Sequence, residues 1–265
     1  MMAKEPTAKG MPLMYQEIQP LSSVEHANWK IRQGSEASFI SKIHAIPLLV
    51  EEFVGAQRFF PIVFSQGEKA IPLALMGLNE GVNVFVDDKG ALLNPTYVPA
   101  YMRRYPFMLA RLDQNSENLS LCFDPTSGLV GEFDEGLPLF EDGKPSETVN
   151  GILKFCEEFE ISAQRTTAFM EDLEKSGLLI DGEIAIQLND QTQPVIYRGF
   201  RIVDETKFRE LPGKDLLKYN KSGMLPLMIA HMFSLSLSRD LYLRQLEQGK
   251  GPQPVPLEAS ASAEA

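Results

Sequence analysis

From Met224 to Leu237 the chain is apolar almost throughout, interrupted by His231, Ser234 and Ser236. A helix apolar on every side has no face to offer water and has to sit inside a core. The run falls short of the roughly 20 residues that cross a bilayer, so no membrane span is expected. The pattern turns amphipathic after Leu237, which predicts one helix over 224–247 docked within the fold.

What surrounds such a helix is set by the rest of the pattern. The first half reads mostly as strands. Lys42–Ile46 alternates polar and apolar residues, as a half-buried strand does. Phe60–Ser65 and Ile71–Met76 flank a Gln66–Glu68 turn, and their prolines point to strand starts or sheet edges. His26–Arg32 and Val82–Val86 also read as extended. Pro47 favours a short helix over Leu48–Val54. Phe107–Leu112 and Leu119–Asp124 form a strand pair around a Gln114–Ser116 loop.

Past residue 145 the period changes. Ile152, Phe155, Cys156, Phe159, Ala163, Met170 and Leu173 follow helical spacing between a capping Ser146 and a stop at Gly177. One helix or two can fill 147–176, since Glu160–Ala163 could open a second. A hairpin is predicted from Ile184–Leu188 and Ile196–Val203. A short helix follows at Glu205–Arg209 capped by Asp204, then another turn at Lys214–Tyr219. The fold class is therefore α+β, with mostly antiparallel strands first, helices and a hairpin later, and the C-terminal helix buried. A single domain over 13–248 is expected, with a loose lead-in at 1–12 and a disordered tail at 249–265. Met11 could serve as an alternative start.

The 265 residues carry a formal net charge of −11. That balance repels polyanions, and no basic stripe is visible, so nucleic acid and anionic membrane surfaces are poor partners. The two cysteines, Cys122 and Cys156, lie among apolar residues and read as buried free thiols. Met1–Gly10 lacks the apolar stretch of a secretory signal. These features point to a cytoplasmic protein.

One segment gathers the chemistry of recognition. Tyr97, Tyr101, Arg103, Arg104 and Tyr105 fall within the stretch 97–107, which also holds Pro99 and Pro106. Guanidinium forks suit carboxylate or phosphate, and phenols add stacking area with a polar tip. These five are the candidate ligand-binding residues. The structural alternative is that the tyrosines pack and the arginines pair with carboxylates. Asn94 and Pro95 would start a short helix running to Arg104, with Tyr97, Tyr101 and Arg104 or Tyr105 on one face.

Other groups carry less. His26, His44 and His231 lack metal-ligand spacing, so no metal site is assigned. His231 on its apolar helix reads as a core residue. Asp204–Glu205, with Arg198 and Arg201 near, could act as acid and base but more simply cap a helix and form ion pairs. Ser234, Ser236 and Ser238 lack a nucleophile elbow. Met224, Met228 and Met232 fit a core or an adaptable interface. No glycine-rich phosphate loop occurs, and no cofactor is expected.

The order of several landmarks resembles the SapC family of bacterial proteins. They are Ile46–Pro47 with Glu52–Phe53, Phe60–Phe64, Asn83–Asp87, Tyr97–Tyr101 with Arg103–Phe107, Leu139–Gly143, Gly199–Glu205 and Ala230–Leu235, spread over about residues 12–247. The resemblance implies an association with surface-layer export or peptide transport. It also implies neighbourhood to outer-membrane receptors and flavin-dependent halogenase-like enzymes. It transfers no catalytic residue. Two readings follow. One is a non-catalytic accessory that binds a peptide or protein partner, with homodimerisation left open. The other is an enzyme of unassigned class acting on a small or peptidic substrate, built from His44, His231, Asp204 and Glu205.

Overall fold

The computed structural model describes residues 11–32, 38–93, 96–112, 118–188 and 193–251. Most of the expected lead-in and tail lies outside these residues, as do Asn94, Pro95 and the Gln114–Ser116 loop. The architecture is α+β. Its centre is a five-stranded sheet of β1 (Ala45–Pro47), β2 (Ile62–Phe64), β3 (Pro72–Leu75), β4 (Leu179–Asp181) and β5 (Arg201–Val203). The strands lie in the order β4-β5-β2-β3-β1, antiparallel at each step. All three residues of the central strand β2 are fully buried, so it reads as a continuous apolar run rather than an alternation. Pro72 opens β3 and Pro47 closes the edge strand β1, the positions where a missing N–H costs least.

A second, smaller set of strands packs nearby. Phe107–Ala110 pairs with Ser120–Phe123, which in turn pairs with Gln19–Pro20. Lys30–Ile31 lies between Val130–Gly131 and Leu137–Pro138. These elements enclose a separate apolar cluster of Phe107, Leu109, Phe123, Val130, Leu139, Val149 and Cys156, with Trp29 packed against it.

One helix, α1 (Glu147–Ser176), joins the two cores. It is a single helix of 30 residues, which decides between the two alternatives left by the pattern. The Ser146 hydroxyl accepts from the Val149 N–H, and Gly177 ends the helix in the left-handed region at φ 68°. Val149 and Cys156 enter the smaller core. Phe159, Phe169, Met170 and Leu173 enter the larger one.

The expected continuous helix over 224–247 is two helices. α2 (Met224–Ser234) and α3 (Ser238–Glu247) are separated by a 3-10 turn at Leu235–Leu237. Ser234 Oγ donates to the His231 carbonyl and Ser236 Oγ to that of Phe233, three residues back in each case. Such side-chain bonds compete with the regular ladder. α2 is also not buried all round: Met228 and His231 are fully enclosed while Phe233 is 71% exposed.

Other expectations shift in similar ways. Val82–Val86 reads as extended but forms no strand. The Asn83 amide donates to the carbonyls of Ile40 and Ile43, and its Oδ1 accepts from the Phe85 N–H, which turns the chain there. Only Val86 makes a bridge, to Leu92. The helix predicted at Leu48 begins as a 3-10 turn at Val50 and continues as Phe53–Ala56, with Pro47 left in β1. In His26–Arg32 only Lys30–Ile31 is strand. The predicted hairpin pairs Ile184–Ile186 with Val195–Tyr197, and Arg201–Val203 departs to the central sheet. Asp204 caps Glu205–Arg209 as expected. Among the described residues no helix is long and apolar enough to cross a membrane.

Candidate functional site

The Tyr/Arg segment folds around carboxylates rather than as one helix face. Within its described part only Ala100–Arg103 is helical, entered through Pro99. Tyr97 precedes the helix, so its phenol and that of Tyr101 go to different places. Tyr97 donates to Glu52 Oε1 at 2.9 Å, and the Ala100 N–H donates to the same oxygen at 2.7 Å. Glu52 Oε2 accepts from the Leu49 N–H at 2.9 Å. Glu52 is buried, so these three donors replace its water. Burial, and then the carboxylate beside it, push the Tyr97 phenol up to about 12.

Tyr101 donates instead to the Leu13 carbonyl at 3.1 Å. Tyr15, two residues further on, donates to the Phe107 carbonyl at 2.7 Å. Tyr105 stacks on Phe39 with 4.6 Å between ring centroids and meets Tyr15 edge-on at 5.2 Å. The segment 13–15 is thereby strapped across the Tyr/Arg segment.

The two arginines part company. Arg104 is buried, with its guanidinium 4.1 Å from the Phe159 ring centroid and 4.6 Å from that of Tyr101. One ion pair reaches it, from Glu160 at 3.5 Å, and its Nε has no partner. It sits where α1 passes from the smaller core to the larger, between Cys156 and Phe159. Burial pushes the Cys156 thiol up to about 11 despite the cation nearby. Arg103 faces solvent. It lies 5.1 Å from the Phe155 ring centroid and has no carboxylate partner among the described residues.

Beside this cluster runs an open groove of about 990 Å³. One wall is the α1 face from Phe159 through Ala163, Thr166 and Met170 to Lys175. The other is Pro47–Leu49 and Glu68–Pro72, the ends of β1 and β3. Of the five sequence-predicted binding residues, Tyr101 alone lines it. The groove comes from a helix face meeting a sheet edge far away in sequence, and no local motif signals it. Glu52 is the other residue the sequence did not single out as functional. It lies three residues after Leu49 and accepts from that residue's N–H, but a leucine at the cap gives the sequence only half of a capping box.

Asp204, Glu205 and His231 are each engaged by partners other than one another. Asp204 accepts from the Lys207 N–H, and Glu205 pairs with Arg209. Arg198 pairs with Glu183, and Arg201 with Glu174. His26 Nδ1 accepts from the Ser22 N–H. His231 Nδ1 bonds the Ile62 carbonyl at 2.7 Å, and its Nε2 accepts from the Val203 N–H at 3.1 Å. Among the described residues no three His, Cys, Asp or Glu side chains come together as metal ligands.

A family model described as SapC matches residues 21–241. No curated protein and no solved structure matches the chain.

Proposed function

The chain belongs to the SapC family, and from that we propose a non-catalytic accessory protein of a surface-layer, peptide-export or nutrient-uptake system. It works in the cytoplasm and binds a peptide or protein partner. The observation that carries this reading is Arg103. Its guanidinium is exposed, backed by the Phe155 ring, and free of any carboxylate among the described residues. Its mounting is rigid, because Glu52 fixes the chain at Tyr97 and Ala100 and Arg104 anchors the next residue inward. A pre-organised, aromatic-backed arginine is the kind of group that dominates binding at interfaces. Its complement is a carboxylate on the partner.

Arg103→Ala is expected to fold with unchanged thermal stability and to lose the partner recovered with the wild type from the native cell. Arg103→Lys, which keeps the charge without the planar fork, should recover part of it. Undiminished recovery by Arg103→Ala removes Arg103 from the interface and this reading with it.

A further inference from the structure

We infer that the groove along α1 is a binding site for a long-chain carboxylate, with the acyl chain between α1 and the sheet edge and the head group at Arg104. This site is separate from the Arg103 surface, and neither reading depends on the other.

The first argument is shape. From Phe159 to Lys175 the α1 wall runs about 24 Å at 1.5 Å per residue. One acyl chain in a membrane occupies about 15 Å, half the bilayer's hydrocarbon thickness. Leu13, Leu48, Leu49, Ile71, Phe159 and Met170 make the lining apolar.

The second argument is what the walls withhold. Pro47 and Pro72 have no N–H to give. The Leu48 N–H is bonded to the Pro72 carbonyl, and the Leu49 N–H to Glu52. Thr166 Oγ1 accepts from the Val50 N–H and donates to the Ser162 carbonyl, and Thr167 donates to that of Ala163. An extended peptide laid along these positions would find no donor for its carbonyls there, at about 1–3 kcal/mol for each one buried. A hydrocarbon chain has no such groups to satisfy.

The third argument is the closed end. Arg104 lies against the rings of Tyr101 and Phe159, both of which line the groove. Its guanidinium bonds the Tyr101 phenol and pairs with Glu160 at 3.5 Å, yet its buried Nε has no partner. Leu13 covers this end, held by the bond from the Tyr101 phenol to its carbonyl. Arg104 stands behind these two rings, so a carboxylate that displaced Leu13 would meet the freed Tyr101 phenol first, with the guanidinium beside it. At the other end Glu171 pairs with Lys175 and Glu174 with Arg201, and Glu68 and Lys69 on the facing wall add one charge of each sign.

The test is calorimetric titration of the full chain with hexadecanoate below its micelle concentration, with hexadecyltrimethylammonium as the same tail carrying a cation. Hexadecanoate should bind one per chain and the cation should not. Ala163→Trp, which fills the groove from its partly exposed wall, should abolish binding while the circular dichroism spectrum and melting temperature are kept. Glu160→Gln removes the carboxylate that competes for Arg104 and should tighten hexadecanoate by roughly threefold to tenfold. Three results would each overturn the assignment: no saturable hexadecanoate binding, undiminished binding by folded Ala163→Trp, or equal affinity for the two head groups. If an amphipathic apolar peptide saturates the groove where hexadecanoate does not, the site is a protein-docking surface instead.

Discussion

His231 substitutes for a rung of the central sheet. Arg201 of β5 is registered against Phe64 of β2, so two residues further along Val203 falls opposite Ile62. There the imidazole stands between the strands, bonded to both backbones. Burial, only partly offset by the bond to Ile62, pushes its pKa down to about 4 from the ordinary 6.5. The folded value is therefore the lower one, and the unfolded chain takes up the proton first as pH falls. Stability is fully present above about 6.5, declines between about 6.5 and 4, and loses nothing more to this group below that. The loss across the window is about 3 kcal/mol. Urea unfolding at pH 7 and pH 5 should show the decline, and it should be smaller in His231→Ala. That variant should itself be about 2–4 kcal/mol less stable at pH 7, from two unpaired backbone groups. An equal decline in both proteins would show that other groups set the pH dependence. The sequence shows a lone histidine on an apolar helix, which is enough to place it in the core. It does not show which two strands the ring connects, because that depends on a contact across 169 positions.

Elements were legible where their boundary signals are local. α1 begins and ends where Ser146 and Gly177 place it, since a cap hydroxyl and a left-handed stop act within a few residues. Removing either should therefore cost a predictable amount. Ser146→Ala should destabilise by about 1 kcal/mol. Gly177→Ala should cost about 1 kcal/mol as well, from forcing a Cβ into the left-handed region. Chemical denaturation measures both, and a neutral result at either position would mean that the terminus is set by packing alone. Elements were misread where distant partners decide. The valines and phenylalanine of Val82–Val86 suit a strand, but Asn83 commits its side chain to Ile40 and Ile43 and bends the chain. The break between α2 and α3 was latent in Ser234 and Ser236. Ser234 also accepts from the Ile62 N–H, a bond visible only in the fold. The candidate site divided in the same way. Composition located the Tyr/Arg segment, but the carboxylates that separate Arg103 from Arg104 come from elsewhere in the chain.

At the scale of the molecule, two apolar cores share one helix. Trp29, the only tryptophan, packs against the smaller core, so its fluorescence reports that core, while far-ultraviolet dichroism reports the whole. If α1 couples the two, both signals should follow a single transition. Phe169→Ala, in the larger core, should lower stability by about 3 kcal/mol or more and shift the tryptophan midpoint equally. A tryptophan transition that stays in place would show that the cores unfold independently and that the chain is two domains. The way the central sheet ends also limits how the molecule can associate. The last residue of β1 has a pyrrolidine ring where an added strand would look for a donor. Growth by sheet extension is hindered on that flank, which also guards against runaway stacking. Whatever meets the protein there has to recognise side chains.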